Sequence, residues 1–125
     1  MAKKKILDET ALLVDKIVEG IREVKGEKIV AVDMSQIDNY VFRNFVICQG
    51  RSNTHVTSIA DSVKDYVREQ IKVKPFGTDG YANSQWIALD YGEVIVHVFQ
   101  PELRDFYKLE DLWEDAVITE YPDEL

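Results

Sequence analysis

The two histidines and the single cysteine of this 125-residue chain are the first candidates for chemistry. His97 lies within the apolar run 93–99, and His55 falls in the first turn of a helical pattern that begins near residue 52. Neither has another histidine or a cysteine three or four residues away, the spacing at which a helix presents two zinc ligands. Cys48 closes the apolar run 45–48, where burial makes a thiol unreactive. We therefore expect a hydrogen-bonded structural His97, a His55 facing solvent or a partner, a buried Cys48 and no metal site.

Three aspartates could support chemistry on nucleotides. Asp33 and Asp90 end predicted strands, and Asp61 lies in a predicted helix. Carboxylates at strand ends can hold Mg²⁺ beside a phosphate. The chain contains neither a Walker sequence nor a GxGxxG loop to hold that phosphate. We therefore expect these aspartates to form caps, turns and loop hydrogen bonds rather than a catalytic site.

Trp86 is the strongest candidate for an interface residue. It begins a predicted strand directly after the polar stretch 82–85, where a large ring can either pack inward or face a partner. Strand alternation places Trp86, Ala88 and Asp90 on one face of the sheet, with Ile87, Leu89 and Tyr91 on the other. Both faces carry apolar side chains, so the sheet must be covered on both sides or used for binding.

The composition predicts one acidic domain over residues 1–125. The chain has 15 basic and 23 acidic residues, a net charge of −8, and 46% hydrophobic residues. Nine of the acidic residues and only two of the basic ones fall in the last 25 positions. Direct binding to nucleic acid needs a basic face, so we expect little of it.

The same composition predicts a cytoplasmic protein in a reducing compartment. No apolar run approaches the ~20 residues of a membrane helix, so no membrane contact is expected. The basic N-terminus lacks the apolar stretch of a signal peptide. A single cysteine excludes a disulfide framework.

Hydrophobic periodicity predicts an α/β fold, with a mixed β-sheet and helices packed on its faces. The segments at 1–7 and 116–125 are predicted to be peripheral terminal segments. The predicted helices cover about 8–25 and 52–70, a further one opens at Pro101, and a short helical turn covers 109–113. The predicted strands cover 28–34, 42–48, 86–91 and 93–99, with a loop at 35–39, an extended piece at 73–76, a turn at 77–80 and a tight hairpin at 91–92.

Three stretches of the chain resemble the ribosomal silencing factors, the RsfS or Iojap-like family. They are Phe-Val-Ile-Cys-Gln-Gly-Arg-Ser at 45–52, Trp-Ile-Ala-Leu-Asp-Tyr-Gly-Glu-Val-Ile-Val-His-Val-Phe at 86–99, and Tyr-x-Leu-Glu-x-Leu-Trp at 107–113. The resemblance extends over roughly residues 8–115, nearly the whole chain. The extension after residue 115 goes beyond the common core.

The resemblance implies a binding protein without catalytic residues, metal or cofactor. Family members bind the large ribosomal subunit through ribosomal protein L fourteen, obstruct joining of the small subunit and repress translation, notably when nutrients are scarce. Free members are often homodimers. The implied docking surface includes the strand that starts at the tryptophan, which corresponds here to Trp86, Ile87, Leu89 and Tyr91. A −8 chain suits a basic ribosomal protein better than it suits RNA.

Two alternatives remain open at the level of the sequence. Mitochondrial and plastid relatives act in large-subunit assembly, so an assembly factor is the first alternative. The family fold is similar to that of nucleotidyltransferases, so an enzyme using Asp33, Asp61 or Asp90 is the second. The chain lacks the Gly-Ser and paired-Asp pattern of active nucleotidyltransferases, which argues against the enzyme.

Overall fold

The computed structural model describes residues 2–35, 44–112 and 115–124. Within these ranges, three α-helices, a short 3₁₀ helix and six strands follow one another. The helices are α1 (Ala2–Glu23), α2 (Asn53–Ile71), α3 (Pro101–Tyr107) and the 3₁₀ helix Leu109–Asp111. The strands are β1 (Glu27–Asp33), β2 (Asn44–Gln49), β3 (Gly77–Asp79), β4 (Trp86–Asp90), β5 (Val94–Phe99) and β6 (Val117–Tyr121).

Local chemistry predicts both ends of α2 but not the start of α1. The Ser52 side chain accepts a hydrogen bond from the His55 backbone N–H and caps the start of α2. Lys72, in a left-handed conformation, ends that helix through a hydrogen bond from its backbone N–H to the Arg68 carbonyl. The prediction for α1 was wrong at its start, because this helix begins at Ala2 rather than near residue 8.

The six strands form one mixed sheet in the order β3-β4-β5-β2-β1-β6. β2 and β5 are parallel, joined by a connection that contains α2, and the other four neighbouring pairs are antiparallel. The predicted hairpin between β4 and β5 is confirmed. Its turn is held by a Tyr91 N–H bond to the Val94 carbonyl and by a Gly92 N–H bond to the Asp90 carboxylate.

Two hydrophobic layers sandwich this sheet, which confirms the predicted α/β class. The larger layer lies under α1 and α2 and includes Ile17, Ile59, Ile87 and Val96. The smaller layer lies on the opposite face around Phe99, where α3 and the 3₁₀ helix contribute Leu103 and Leu109. Burial of β-branched and aromatic side chains on both faces explains why the strands read as apolar runs.

Two short strands differ from the sequence predictions. The predicted turn at 77–80 contains β3, which pairs with β4, and the extended piece at 73–76 forms no strand. The sequence interpretation assigned no element to 116–125, but β6 pairs with β1 over five residues there. The predicted loop at 35–39, the first residues of the predicted strand at 42–48 and Trp113 lie at least partly outside the described residues.

Within the described part of the chain, no helix combines the length and the apolar character needed to cross a bilayer.

Candidate partner-binding surface

Trp86 stands at the first position of β4 and packs against aromatic rings from two other elements. Its ring stacks on Phe99 of β5, with the ring centroids 4.8 Å apart. Tyr107 at the end of α3 lies against it at 4.9 Å. The indole Nε1–H donates to Nδ1 of His97 over 3.0 Å. The ring is half-buried, so its orientation is set by the fold while part of it stays open to solvent.

His97, which accepts the Trp86 hydrogen bond, is itself fixed by burial. Its side chain is 8% exposed and meets the Phe45 ring edge-on at 4.8 Å. Burial lowers the pKa of His97 to about 4, because desolvation penalises the imidazolium form. Nδ1 accepts from Trp86, so the neutral ring carries its proton on Nε2, which has no hydrogen-bond partner among the described residues. The prediction of a hydrogen-bonded structural histidine is confirmed.

A groove of about 400 Å³ runs beside Trp86, between the sheet and α3. Ala88, Leu103 and Tyr107 supply its apolar wall, and Asp79 and Gln85 are among its polar residues. Next to it, Phe106 is 76% exposed and Tyr107 is 43% exposed. We call Trp86, Leu103, Phe106 and Tyr107 the Trp86 surface. Apolar rings around a groove with a polar rim are the usual composition of a protein-binding site.

Three of the predicted partner-binding residues do not belong to this surface. Ile87 and Leu89 are 0% exposed, Tyr91 is 4% exposed, and all three pack in the layer under α1 and α2. Burial raises the pKa of Tyr91 to about 12. Strand alternation explains the outcome, since Ile87, Leu89 and Tyr91 share the face opposite to Trp86. Only Trp86, of the four, offers side-chain surface to a partner in this structure.

The sequence interpretation assigned no role at this surface to α3, which supplies most of it. Arg104, a residue that is only 8% exposed, holds this helix in place. Its guanidinium pairs with Glu110 and donates to Gln49 and to the Lys28 carbonyl. One feature of the sequence could have indicated that α3 contributes to the surface. The seven-residue helix that opens at Pro101 carries three large apolar side chains, those of Leu103, Phe106 and Tyr107.

The other candidates for chemistry have structural roles. Asp33 and Asp90 each accept a backbone N–H two residues ahead, from Ser35 and Gly92. Asp61 accepts from the Tyr81 hydroxyl. The contacts of Asp33 and Asp90 confirm the local roles predicted for them, whereas Asp61 lies within α2 and bonds to a residue outside that helix. Among the residues that the structure describes, no three His, Cys, Asp or Glu side chains are grouped as a metal site would need.

The remaining thiol and imidazole are also held by the fold. Cys48 is buried as predicted, and burial raises the pKa of its thiol to about 12. His55 accepts the Arg51 backbone N–H at Nδ1, and its Nε2 lies 2.8 Å from the Val24 carbonyl. This histidine therefore joins the start of α2 to the segment after α1, rather than pointing freely at solvent.

Comparison with known proteins places this mixed-sheet α/β domain in a family. Residues 7–124 match the family model described as "Ribosomal silencing factor during starvation". A ribosomal silencing factor RsfS from Halalkalibacterium halodurans is 38% identical over 104 residues, which cover 82% of this chain and 86% of that protein. The RsfS of Bacillus subtilis is 39% identical over 97 residues, covering 77% and 80%.

A solved structure supports the same assignment. Protein CV0518 from Chromobacterium violaceum superposes with a TM-score of 0.76 at 31% identity, covering 82% of this chain and 84% of that one. The chain therefore shares the mixed-sheet α/β fold of this solved structure. The chain belongs to the ribosomal silencing factor family, whose described role is regulatory.

Proposed function

We propose that the protein binds the large ribosomal subunit through ribosomal protein L fourteen and thereby blocks joining of the small subunit. Translation is then repressed when nutrients are scarce. The main support for this proposal is the Trp86 surface, which exposes apolar rings to solvent. The chain also belongs to the ribosomal silencing factor family. Most of the affinity of a protein interface comes from a few such anchors.

The proposed mechanism is steric and needs no turnover. A domain of 125 residues that occupies the joining face prevents the small subunit from approaching, whatever its own chemistry. The buried Cys48, the neutral His97 and the turn-forming Asp33 and Asp90 agree with a role that uses no catalytic group.

Electrostatics favours a protein partner over RNA. The chain has a net charge of −8, so it is repelled by phosphates and attracted by a basic ribosomal protein. Asp79 on the wall of the groove beside Trp86 offers a carboxylate to a basic side chain.

Co-sedimentation with separated subunits tests the proposal. We expect the protein to pellet with large subunits and not with small ones, and to reduce the yield of joined ribosomes when both are mixed. Large subunits reconstituted without L fourteen should lose the binding. Equal binding to both subunits at moderate salt, or binding that persists without L fourteen, would contradict it.

The same gradients separate the proposed role from one in assembly. A silencing factor binds mature large subunits and prevents joining. Binding confined to immature particles, with joining of mature subunits unaffected, would favour an assembly factor instead.

A further inference from the structure

The strand β6 leaves one edge of the sheet open. Among the described residues β6 pairs only with β1, and its outer edge meets no other strand. Val117 is 53% exposed and Ile118 is 46% exposed, so two β-branched side chains face solvent. Backbone groups on such an edge can pair with an added strand.

This edge lacks three features that commonly block strand addition, namely a bulge, a proline and a lysine. The register between β1 and β6 is continuous over five residue pairs, so β6 has no bulge on that side. The strand contains neither proline nor lysine, and Pro122 comes only after its last residue. Five residues are long enough to pair with a ligand strand over about 17 Å. At the other edge of the sheet, β3 has only three residues.

Contacts after the strand hold this edge in place. The Arg22 guanidinium donates to the Pro122 carbonyl through Nε and Nη2, at 3.0 and 2.7 Å. The Lys28 backbone N–H donates to the Asp123 carboxylate at 2.8 Å. Because contacts from both β1 and α1 fix the end of β6, this strand loses less conformational entropy when a ligand strand pairs with it.

The acidic residues around β6 favour a ligand with basic side chains. Residues 115–124 contain four acidic and no basic residues. On the α1 side, a depression of about 410 Å³ beside Thr119 is lined by Asp15 and Asp33. On the α3 side, a depression of about 320 Å³ is lined by four acidic and three basic side chains, and one of those basic side chains, Arg104, is already paired with Glu110. Both depressions lie over β1, just inward of β6. Side chains of a strand added outside β6 point alternately to the α1 side and the α3 side of the sheet, from where long basic side chains can extend back across β6 towards these carboxylates.

From these observations we propose that the outer edge of β6 binds an extended, basic and apolar peptide segment of a partner protein by strand addition. Main-chain hydrogen bonds supply the pairing, and lysine or arginine side chains of the ligand meet the carboxylates beside the edge. A second copy of this chain is the less favoured occupant, because it brings the same acidic strand to the contact. The site does not rest on the proposed function. It lies four strand spacings, about 19 Å, from β4 across the sheet.

A labelled, end-capped heptapeptide of alternating Lys and Val is the probe. We expect saturable binding by fluorescence anisotropy, together with slower amide hydrogen exchange at 117–121. A matched peptide of alternating Lys and Pro keeps the charge but cannot form a regular ladder, so it should bind at least about ten-fold more weakly. A peptide with Glu in place of Lys should not bind.

Charge reversal on the protein supplies the second arm. Glu120→Lys, on β6, should weaken binding of the Lys-Val peptide about five-fold or more. Glu69→Lys makes the same change at an exposed position of α2 and should alter the affinity less than two-fold. Equal binding of the Lys-Pro peptide, equal effects of the two variants, or no binding at all would overturn the proposal. Protection of 117–121 that grows with protein concentration without peptide would identify a second copy as the occupant and also overturn it.

Discussion

Trp86 shows how one side chain can be both a structural and a binding group. Its stacking on Phe99 and Tyr107 and its hydrogen bond to His97 fix the ring, and the remaining part of the ring borders the groove. A ring that is already ordered loses little entropy when a partner covers it. The same contacts mean that its removal should disturb both affinity and stability.

Trp86→Ala is expected to weaken binding to large subunits about 30- to 1,000-fold, which corresponds to roughly 2–4 kcal/mol for a lost aromatic anchor. The domain should remain folded, with a loss of roughly 2 kcal/mol in the free energy of unfolding, because the ring is only half-buried. Co-sedimentation and thermal melting of one preparation measure both effects. Leu12→Ala, on the exposed part of α1, is the control and should leave binding unchanged. Intact binding together with a large drop in melting temperature would mean that Trp86 is purely a core residue.

His97 should make the stability depend on pH. Its pKa is about 4 in the folded protein and about 6.5 in the unfolded chain, so the unfolded state holds more protons between these values. The stabilisation from burying the neutral His97 is therefore fully present above pH 6.5. As the pH falls towards 4, this stabilisation is lost and the free energy of unfolding decreases by roughly 3 kcal/mol. Urea denaturation at a series of pH values should show a flatter dependence for His97→Gln. Parallel curves for the two proteins would contradict this account.

At the scale of elements, the start of β4 depends on the turn before it. Gly80 has φ of +98°, and its carbonyl accepts the Ser84 N–H. A Cβ at this position would lie 1.9 Å from the Trp86 carbonyl oxygen. Glycine is therefore required for the chain to pass close to β4 and to place Trp86 where the strand begins.

Gly80→Ala is expected to cost about 2 kcal/mol or more of the free energy of unfolding, because it combines a strained φ with a backbone clash. Gly77→Ala is the matched control. A Cβ there meets nothing within 4 Å and Gly77 has no positive φ, so the change should be below about 0.5 kcal/mol. Chemical denaturation compares the two, and similar losses would refute the steric argument.

At the scale of the whole molecule, net charge governs the encounter with the ribosome. A charge of −8 acts over about a Debye length, which shrinks from roughly 14 Å at 50 mM salt to 6 Å at 300 mM. Attraction to a basic ribosomal protein should therefore weaken as salt is added, while contacts of the half-buried Trp86 ring are less affected.

We expect the association rate constant with large subunits to fall about three-fold or more between 50 and 300 mM salt, with a smaller change in the dissociation rate. Stopped-flow mixing with labelled protein measures both. An association rate that rises with salt would show that repulsion from ribosomal RNA outweighs attraction to the protein partner.

Local patterns in the sequence determined most of the elements and the family. The apolar stripe and the Ser52 cap predicted α2 to within about one residue, and the alternation along β4 correctly separated Trp86 from Ile87 and Leu89. The aspartate turns also followed from local chemistry. Such features depend on neighbours a few residues apart, which is why one sequence suffices to find them.

Tertiary structure alone decided which layer covers each face and which strands pair. The alternation of side chains along a strand predicts that Ile87, Leu89 and Tyr91 share one face of the sheet. These residues are buried because α1 and α2 pack on that face. β6 contains the β-branched triplet 117–119, yet its place in the sheet comes from pairing with β1, whose residues lie 84 to 92 positions earlier along the chain. Long-range pairing and the choice of covering layer depend on the free energy of the whole fold, which no local spacing records.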